Sequence, residues 1–275
     1  STFAGSTTAG GNADGNGIGD FKYPVPNTFL ALASANLPEP DIIDGSDYFN
    51  TVLYTGNGSS RSITGVGFSP DWIWFKARSA AIGHVVYDTL RGAARYLQTA
   101  SNSAEGTGAD SQTSFDSDGF SLGADTSTTG VNQNSTTYVG WNWKAGGSAI
   151  SNTDGSITSQ VSANTTAGFS IVSYTANNVA GATVGHGLGQ EPSLIIQKDR
   201  DSTEQWLVYH KSLGATKYLL LNSTIAAPTS ASAWNNTAPT VSQTSKTTAR
   251  LAATLGTEMQ MGRLSTQGLG PHSSL

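Results

Sequence analysis

The sequence predicts an all-β protein in which two tandem β-sandwich units, of jelly-roll or concanavalin-like type, follow an extended N-terminal segment. The first observation behind this prediction is composition, because only 12% of the 275 residues are charged and 32 are glycine. Few charges and many turn-forming residues are typical of chains with many short strands. The second observation is a period-two alternation of apolar and polar residues from Phe49 onward. The third is a long internal repeat.

The internal repeat relates two halves of the chain that lie 120 to 122 residues apart. Matched residues of the first and second halves are Phe49 and Phe169, Tyr54 and Tyr174, Ile73 and Ile195, Lys76 and Lys198, Tyr87 and Tyr209, and Tyr96 and Tyr218. The separation grows by two residues in the Gly- and Asn-rich loop after Tyr54, where insertions cost least. Since the period is far longer than a solenoid rung, each half is predicted to form its own sandwich.

The domain boundaries follow from the repeat. We expect a linker over residues 1–45, a first sandwich over 46–147 and a second sandwich over 148–240. Residues 241–275 are predicted to be an atypical tail that adds little to the core, because they lack an alternating aromatic strand like residues 138–144. A shifted reading frame in the gene is one interpretation of this tail.

Two short segments carry the clearest local predictions. Trp72–Phe75 is apolar at four successive positions, which favours a strand that is buried on both faces. Asp116–Gly119 separates two phenylalanines and is typical of a hairpin turn. Its two aspartates and Asp125 could instead ligate calcium, which prefers oxygen ligands. The EF-hand spacing is missing, however, so the turn is the favoured interpretation and no metal site is predicted.

Charge and composition exclude several classes of partner. The net charge of −5 argues against nucleic acid, which requires a basic surface. No polybasic segment is present that would bind an anionic membrane. The chain has no cysteine, so disulfides and thiolate metal sites are excluded. We therefore expect neither nucleic acid nor a membrane as a partner.

No pattern of residues typical of an enzyme stands out. The four histidines are scattered, and no Gly-x-Ser-x-Gly elbow is present. The 19 carboxylates lie mostly in turn segments, which does not favour a glycosidase pair. The sequence therefore predicts no catalytic residues and no cofactor.

Several longer motifs carry a resemblance to a known family. They are GFSPDWIWFKAR at residues 67–78, YDTLRGA at 87–93 and WNWKA at 141–145 in the first half, and GHGLG at 185–189 and WLVYH at 206–210 in the second. With these motifs the chain resembles a tandem β domain of unknown function that is common in predicted tail and virion proteins of bacteriophages. Residues 1–40 resemble the segment that follows a SPRY-like sandwich in the same proteins. The resemblance covers residues 1 to about 240.

The resemblance implies a function and a location. It implies a phage virion structural protein, either a tail-fibre-like module or a surface decoration, at the surface of the extracellular particle. Its partners would be other virion proteins and further copies of itself, a trimer being one such homo-oligomer. The resemblance also implies that a further domain precedes residue 1. Separately, because the chain opens at Ser1 without Met, we expect a cut or processed N-terminus. It supplies no catalytic residues.

The alternative function is a carbohydrate-binding adhesin that recognises host surface glycans. Indole rings stack well on the C–H face of a sugar, so the candidate ligand-binding residues are Trp141, Trp143 and Trp234. Trp234, in a Ser- and Asn-rich loop, is expected to be the most exposed of the six tryptophans. Trp72 and Trp74 are expected in the core. Clustered exposed aromatic rings would favour glycan binding, and buried rings would favour a structural role.

A group of charged residues stands out because the chain has so few. They are Lys76, Arg78, Asp88, Arg91 and Arg95. An anionic glycan could bind such a group, but the residues are better interpreted as ion pairs and sheet-edge cover. Their partial recurrence in the second half, for example at Lys198, favours this structural role.

Overall fold

β-strands dominate the computed structural model, which describes residues 10–26, 28–37, 42–126, 129–240, 242–244 and 250–255. In chain order the strands are β1 (Phe49–Thr55), β2 (Arg61–Thr64), β3 (Trp72–Ala77), β4 (Val85–Asp88), β5 (Arg95–Gln98), β6 (Gly106–Thr107), β7 (Gln112–Asp116), β8 (Gly119–Leu122), β9 (Thr137–Trp143), β10 (Ile150–Asn152), β11 (Ser159–Asn164), β12 (Phe169–Tyr174), β13 (Thr183–Gly185), β14 (Leu194–Asp199), β15 (Leu207–His210), β16 (Leu219–Leu220), β17 (Ser242–Thr244) and β18 (Arg250–Leu255). Short 3-10 turns lie at Ser34–Asn36, Gly45–Asp47 and Lys211–Leu213. Within the described ranges no helix is long and apolar enough to cross a membrane. The predicted all-β class is confirmed.

The chain divides into two compact units, one ending at Ile43 and the other beginning at Asp44. In the first unit the carboxylate of Asp14 joins distant loop segments. It accepts hydrogen bonds from the backbone N–H groups of Ile18 (2.9 Å) and Ala31 (2.7 Å) and from the side-chain amide of Asn36 (2.6 Å). The described residues of the predicted linker are therefore joined by hydrogen bonds between distant positions, which an extended segment would not make.

Two sheets enclose the core of the first copy. The six-stranded sheet has the order β1-β9-β3-β4-β5-β6, and the three-stranded sheet has the order β2-β8-β7. Val52 and Phe75 of the large sheet meet Ile63 and Phe120 of the small sheet in one buried cluster. The predicted hairpin turn is confirmed, since β7 and β8 pair with Phe115 opposite Phe120. The first copy is thus a β-sandwich.

The second copy repeats this arrangement. Its large sheet has the order β10-β11-β12-β18-β14-β15-β16, and β13 pairs with β17 in a small sheet. Val172, Ile195 and Tyr209 of the large sheet share a buried cluster with Val184 of the small sheet. The order β1-β9-β3-β4-β5 of the first copy corresponds to β12-β18-β14-β15-β16 of the second. The repeat seen in the sequence is therefore a repeat of topology.

Strand β18 takes the place in the second copy that β9 has in the first. Ala253 at its centre lies opposite Ile171 of β12 and opposite Ile196 of β14. The prediction that residues 241–275 lack a closing strand is therefore wrong for residues 250–255. Ladder hydrogen bonds use backbone groups, so a strand can form here without the aromatic alternation of β9. Residues 256–275 lie outside the described residues, and the shifted reading frame stays a hypothesis.

The two copies share a third buried cluster. It contains Trp72, Val86, Leu97 and Ala145 of the first copy and Ala167, Phe169, Ile171 and Trp206 of the second. On β3, Ile73 and Phe75 point into the first core and Trp72 belongs to the shared cluster, so burial on both faces is confirmed for these three residues. Trp74, also expected in the core, is only half-buried. The large sheets thus pack against each other through the faces that point away from their own cores.

Candidate functional site

Trp234 is fully buried in the second copy, with no exposed area. Its ring lies edge-on to Tyr209, with 5.6 Å between ring centroids, inside the core cluster of that copy. The prediction that Trp234 is the most exposed tryptophan is therefore wrong. The polar residues before and after it predicted an exposed loop. Burying the large apolar indole ring against the sheet lowers the free energy of the folded state, however, so the loop folds back over the core.

Trp143 is half-buried where the two copies meet. Its ring lies between Phe49, at 4.8 Å between centroids, and Phe169 of the second copy, at 6.1 Å. The Phe169 ring is close to parallel with the indole, at 28°. One neighbour comes from each copy, so the Trp143 ring is part of the contact between the two copies and is not free to bind a ligand.

Trp141 is half-buried two residues earlier on the same face of β9. Its ring packs edge-to-face on Trp74, at 6.3 Å between centroids and 77° between planes. Trp74 in turn packs on His84 at 6.3 Å and donates its indole N–H to the hydroxyl of Thr99 at 3.1 Å. Leu53 of the neighbouring strand β1 is 62% exposed. We call Leu53, Trp74, His84 and Trp141 the outer-face patch.

The outer-face patch carries little charge. Burial, with a smaller contribution from the charge of Lys76, lowers the pKa of His84 below its usual value, so this imidazole is neutral at neutral pH. The ammonium group of Lys76 is engaged by the backbone carbonyls of Ala77 and Ala80. A neutral surface with two ordered indole rings can stack on the apolar face of a sugar. Of the predicted ligand-binding residues, the patch includes Trp141 alone.

Three members of the predicted charged group, Asp88, Arg91 and Arg95, belong to an ion-pair network that includes Glu105. Asp88 pairs with the buried Arg91, whose guanidinium also reaches Glu105 at 3.5 Å. Arg95 lies 3.9 Å from Glu105, and Arg200 of the second copy donates to it at 2.8 and 3.1 Å. The structural role predicted for Asp88, Arg91 and Arg95 is confirmed.

The surroundings of Glu105 favour the ionised form of its carboxyl group. Burial alone would raise the pKa of Glu105, but the hydrogen bond from Arg200 and the charges of Arg91 and Arg200 outweigh it, so the pKa lies below its usual value. The same bond raises the pKa of Arg200 against the opposing effect of burial. The network is therefore an ionised link between the copies at neutral pH.

The aspartates considered as calcium ligands hold loops in place. Asp118 accepts hydrogen bonds from the backbone N–H groups of Gly65 (3.1 Å) and Gly67 (2.6 Å). Asp125 accepts from the backbone N–H groups of Val131 (2.6 Å) and Asn132 (3.0 Å). The described part of the chain holds no group of three or more His, Asp or Glu side chains placed to bind a metal ion.

The sequence reasoning missed a surface pocket of about 440 Å³ in the second copy. Ile150, Val161 and Ala163 provide apolar lining, and Asn152 and Asp154 provide polar lining. At Gly187 a Cβ atom would come within 2.9 Å of the Val161 side chain, so glycine keeps this wall thin. Gly187 and Gly189 of the GHGLG motif also line the pocket. The repeat did not predict it, because strands β10 and β11 have no counterpart among the described residues of the first copy.

Fold and contacts together define a tandem-repeat β-sandwich protein whose two copies share a core. The chain belongs to the family described as a domain of unknown function (DUF7483), which matches residues 44–260. The match begins at the first residue of the second compact unit and extends over both copies and β18. No curated protein and no solved structure matches the chain.

Proposed function

We propose that the protein is a non-catalytic structural module of a bacteriophage virion, tail-fibre-like or a decoration of the particle surface. The observation that carries this proposal is the buried cluster shared by the two copies, which uses Trp72, Phe169 and Trp206. Aromatic rings of this size contribute strongly to the stability of an interface. Their use between the copies favours a stiff building block over a recognition surface.

The polar contacts between the copies support the same role. The indole N–H of Trp206 donates to the backbone carbonyls of Gln98 (2.9 Å) and Ser101 (3.1 Å) across the joint. The backbone N–H of Glu105 in the first copy donates to the backbone carbonyl of Arg200 in the second at 2.8 Å. Such links oppose the relative motion that is usual between tandem domains. A stiff pair of sandwiches suits display at the surface of a particle.

The virion assignment itself comes from the resemblance of the sequence motifs to phage tail and virion proteins. Under this proposal the partners are other virion proteins and further copies of the chain, and the site of action is the particle surface. The proposal assigns no catalytic residue and no cofactor.

Immunogold electron microscopy tests the virion assignment. Antibodies raised against the purified chain are applied to purified particles of the phage that encodes it, and we expect gold at a defined position on intact virions. Antibody pre-adsorbed with the purified chain is the control. Labelling confined to the particle-free fraction of the lysate would contradict the proposal.

A second candidate function, glycan binding, is favoured by one observation. The outer-face patch presents Trp141 and Trp74 edge-to-face and half-exposed, beside the exposed Leu53. We propose as the alternative that this patch stacks on the sugar rings of a host surface polysaccharide. The two functions can coexist in one fibre.

Binding of the labelled chain to intact host bacteria, with soluble host polysaccharide as competitor, tests the alternative. Glycan binding predicts saturable binding that the competitor removes and that Trp141→Ala weakens about fivefold, since an aromatic stacking contact is worth about 1 kcal/mol. Val179→Ala, at an exposed apolar residue of the second copy that does not line the pocket, is the matched control. Equal loss in both variants, or no binding by the folded chain, would reject the patch as a glycan site.

A further inference from the structure

Strand β1 is an edge strand of the six-stranded sheet in the first copy. Its sequence lacks the features that usually stop an edge strand from pairing with another chain. It is seven residues long, FNTVLYT, without a charge or a proline. Long edge strands in soluble proteins usually carry a charged residue, a proline or a bulge that prevents pairing with another chain. Leu53, near its middle, is 62% exposed, and Phe49 is 37% exposed.

In the second copy, the strand that corresponds to β1 has a neighbour on both sides. This strand, β12, is flanked by β18 on one side and by β11 on the other, with Val172 opposite Val161. Strand β10 then extends the sheet beyond β11. Among the described residues, β1 pairs with β9 alone. The topology of the repeat therefore leaves one strand position beside β1 vacant in the first copy.

Backbone hydrogen bonds define which groups of β1 face the vacant position. Gly56 N–H donates to Thr136 O, and Lys144 N–H donates to Tyr48 O, both at 2.8 Å. Even-numbered residues of this segment therefore turn their backbone groups towards β9. The two backbone groups of a residue in an antiparallel strand point the same way, so odd-numbered residues turn theirs outward.

Side chains of the same protein already satisfy two of the outward groups. Thr51 N–H donates to the side-chain oxygen of Asn50 at 2.8 Å, and Thr55 O accepts from the guanidinium of Arg61 at 2.7 Å. At the centre of the edge, no other described residue bonds to the N–H or C=O of Leu53, the C=O of Thr51 or the N–H of Thr55, so these groups can bond to a partner strand.

These available groups are complementary to themselves. We propose that the β1 strands of two copies of this protein pair antiparallel about a two-fold axis at Leu53, joining two six-stranded sheets into one. Leu53 then exchanges both backbone hydrogen bonds with Leu53 of the second copy, and Thr55 N–H bonds to Thr51 C=O in each direction. The two exposed Leu53 side chains meet on one face, and no like charges face each other across the pair. A two-fold contact of this kind closes on itself and yields a dimer.

This interaction surface goes beyond the proposed function and does not depend on it, because the pairing would form whatever the dimer's role. A cysteine cross-link tests the geometry in the full chain, which has no cysteine of its own. Directly opposed residues in such a pair have Cα atoms about 5.5 Å apart, within the range of a disulfide. We expect Leu53→Cys to form an oxidised dimer rapidly under mild oxidation. Ile150→Cys, on the edge strand of the other large sheet and 70% exposed, is the matched control. Cross-linking of Leu53→Cys no faster than that of Ile150→Cys would overturn the proposal.

Mass measurement in solution provides the second test. Analytical ultracentrifugation should find a dimer of the unaltered chain and at least about tenfold weaker association for Leu53→Lys, because it places two like charges directly opposite each other. Ile150→Lys should leave the dimer intact, and thermal unfolding should show that both variants are folded. A monomer at all concentrations, or a trimer that Leu53→Lys does not weaken, would overturn the proposal.

Discussion

Arg200 of the second copy and Glu105 of the first, 95 residues apart in the chain, are joined by two hydrogen bonds of 2.8 and 3.1 Å. Arg91 and Arg95 approach the same carboxylate. Four salt bridges thus belong to this network, which links the two sandwiches.

Replacing Glu105 by glutamine should destabilise the protein by about 2 kcal/mol, because it removes the carboxylate that pairs Arg200 and the buried Arg91. Urea unfolding measures the loss. Glu191→Gln, which breaks the exposed pair between Glu191 and Lys211, is the matched control and should change stability by no more than about 0.5 kcal/mol. Equal effects of the two substitutions would show that the Glu105 network contributes no more than a surface pair.

Truncation of Trp206 to alanine should cost about 3 to 5 kcal/mol, because its side chain is 1% exposed and fills the shared cluster. This loss of free energy weakens the contact between the two copies. By differential scanning calorimetry we therefore expect the two copies to unfold in one transition in the unaltered protein and in two in Trp206→Ala. Trp141→Ala, at a half-buried ring away from the joint, should lower the melting temperature less and keep one transition. A single transition in Trp206→Ala would contradict a shared core.

The Asp14 carboxyl should titrate with a pKa of about 2, chiefly because the backbone N–H of Ala31 donates to it. A pKa below that of the unfolded chain means that ionised Asp14 stabilises the first unit above pH 3.8, its ordinary value, and that this stabilisation is lost as the pH falls through about 2. NMR shifts of the Ala31 and Ile18 amide protons should report that midpoint. The titration should be missing from Asp14→Asn, and a midpoint near 4 would show that the hydrogen bonds do not form.

Ending the chain after residue 240 should unfold the second copy, because β18 supplies the hydrogen-bond partner on one side of both β12 and β14. Ending it after residue 260, where the family match stops, should preserve the fold. Circular dichroism and limited proteolysis of the two truncated proteins make the comparison. A stable, protease-resistant second copy in the shorter protein would restore the interpretation of residues 241–275 as a tail that adds little to the core.

Several elements of this fold could be read from local sequence. The apolar run at Trp72–Phe75 predicted a strand buried on both faces, and the turn at Asp116–Gly119 predicted the hairpin of β7 and β8. Both predictions depend on residues close together in the chain, where side-chain period and turn chemistry act directly. Trp234 and β18 could not be read in this way. One is buried against Tyr209 and the other is held by β12 and β14, so distant partners decide both.

The sequence by itself determined the all-β class, the repeat at 120 to 122 residues and the identity of the apolar faces, because alternation and turn residues are local properties. Only the tertiary structure decided how those faces are used. A strand pattern shows that a face is apolar but not what covers it. Trp72, Trp143 and Trp206 cover a shared joint, Trp141 stays half-exposed, and β1 ends its sheet without a further neighbour among the described residues. These outcomes depend on contacts between segments about a hundred residues apart, whose geometry arises from packing the two sandwiches together.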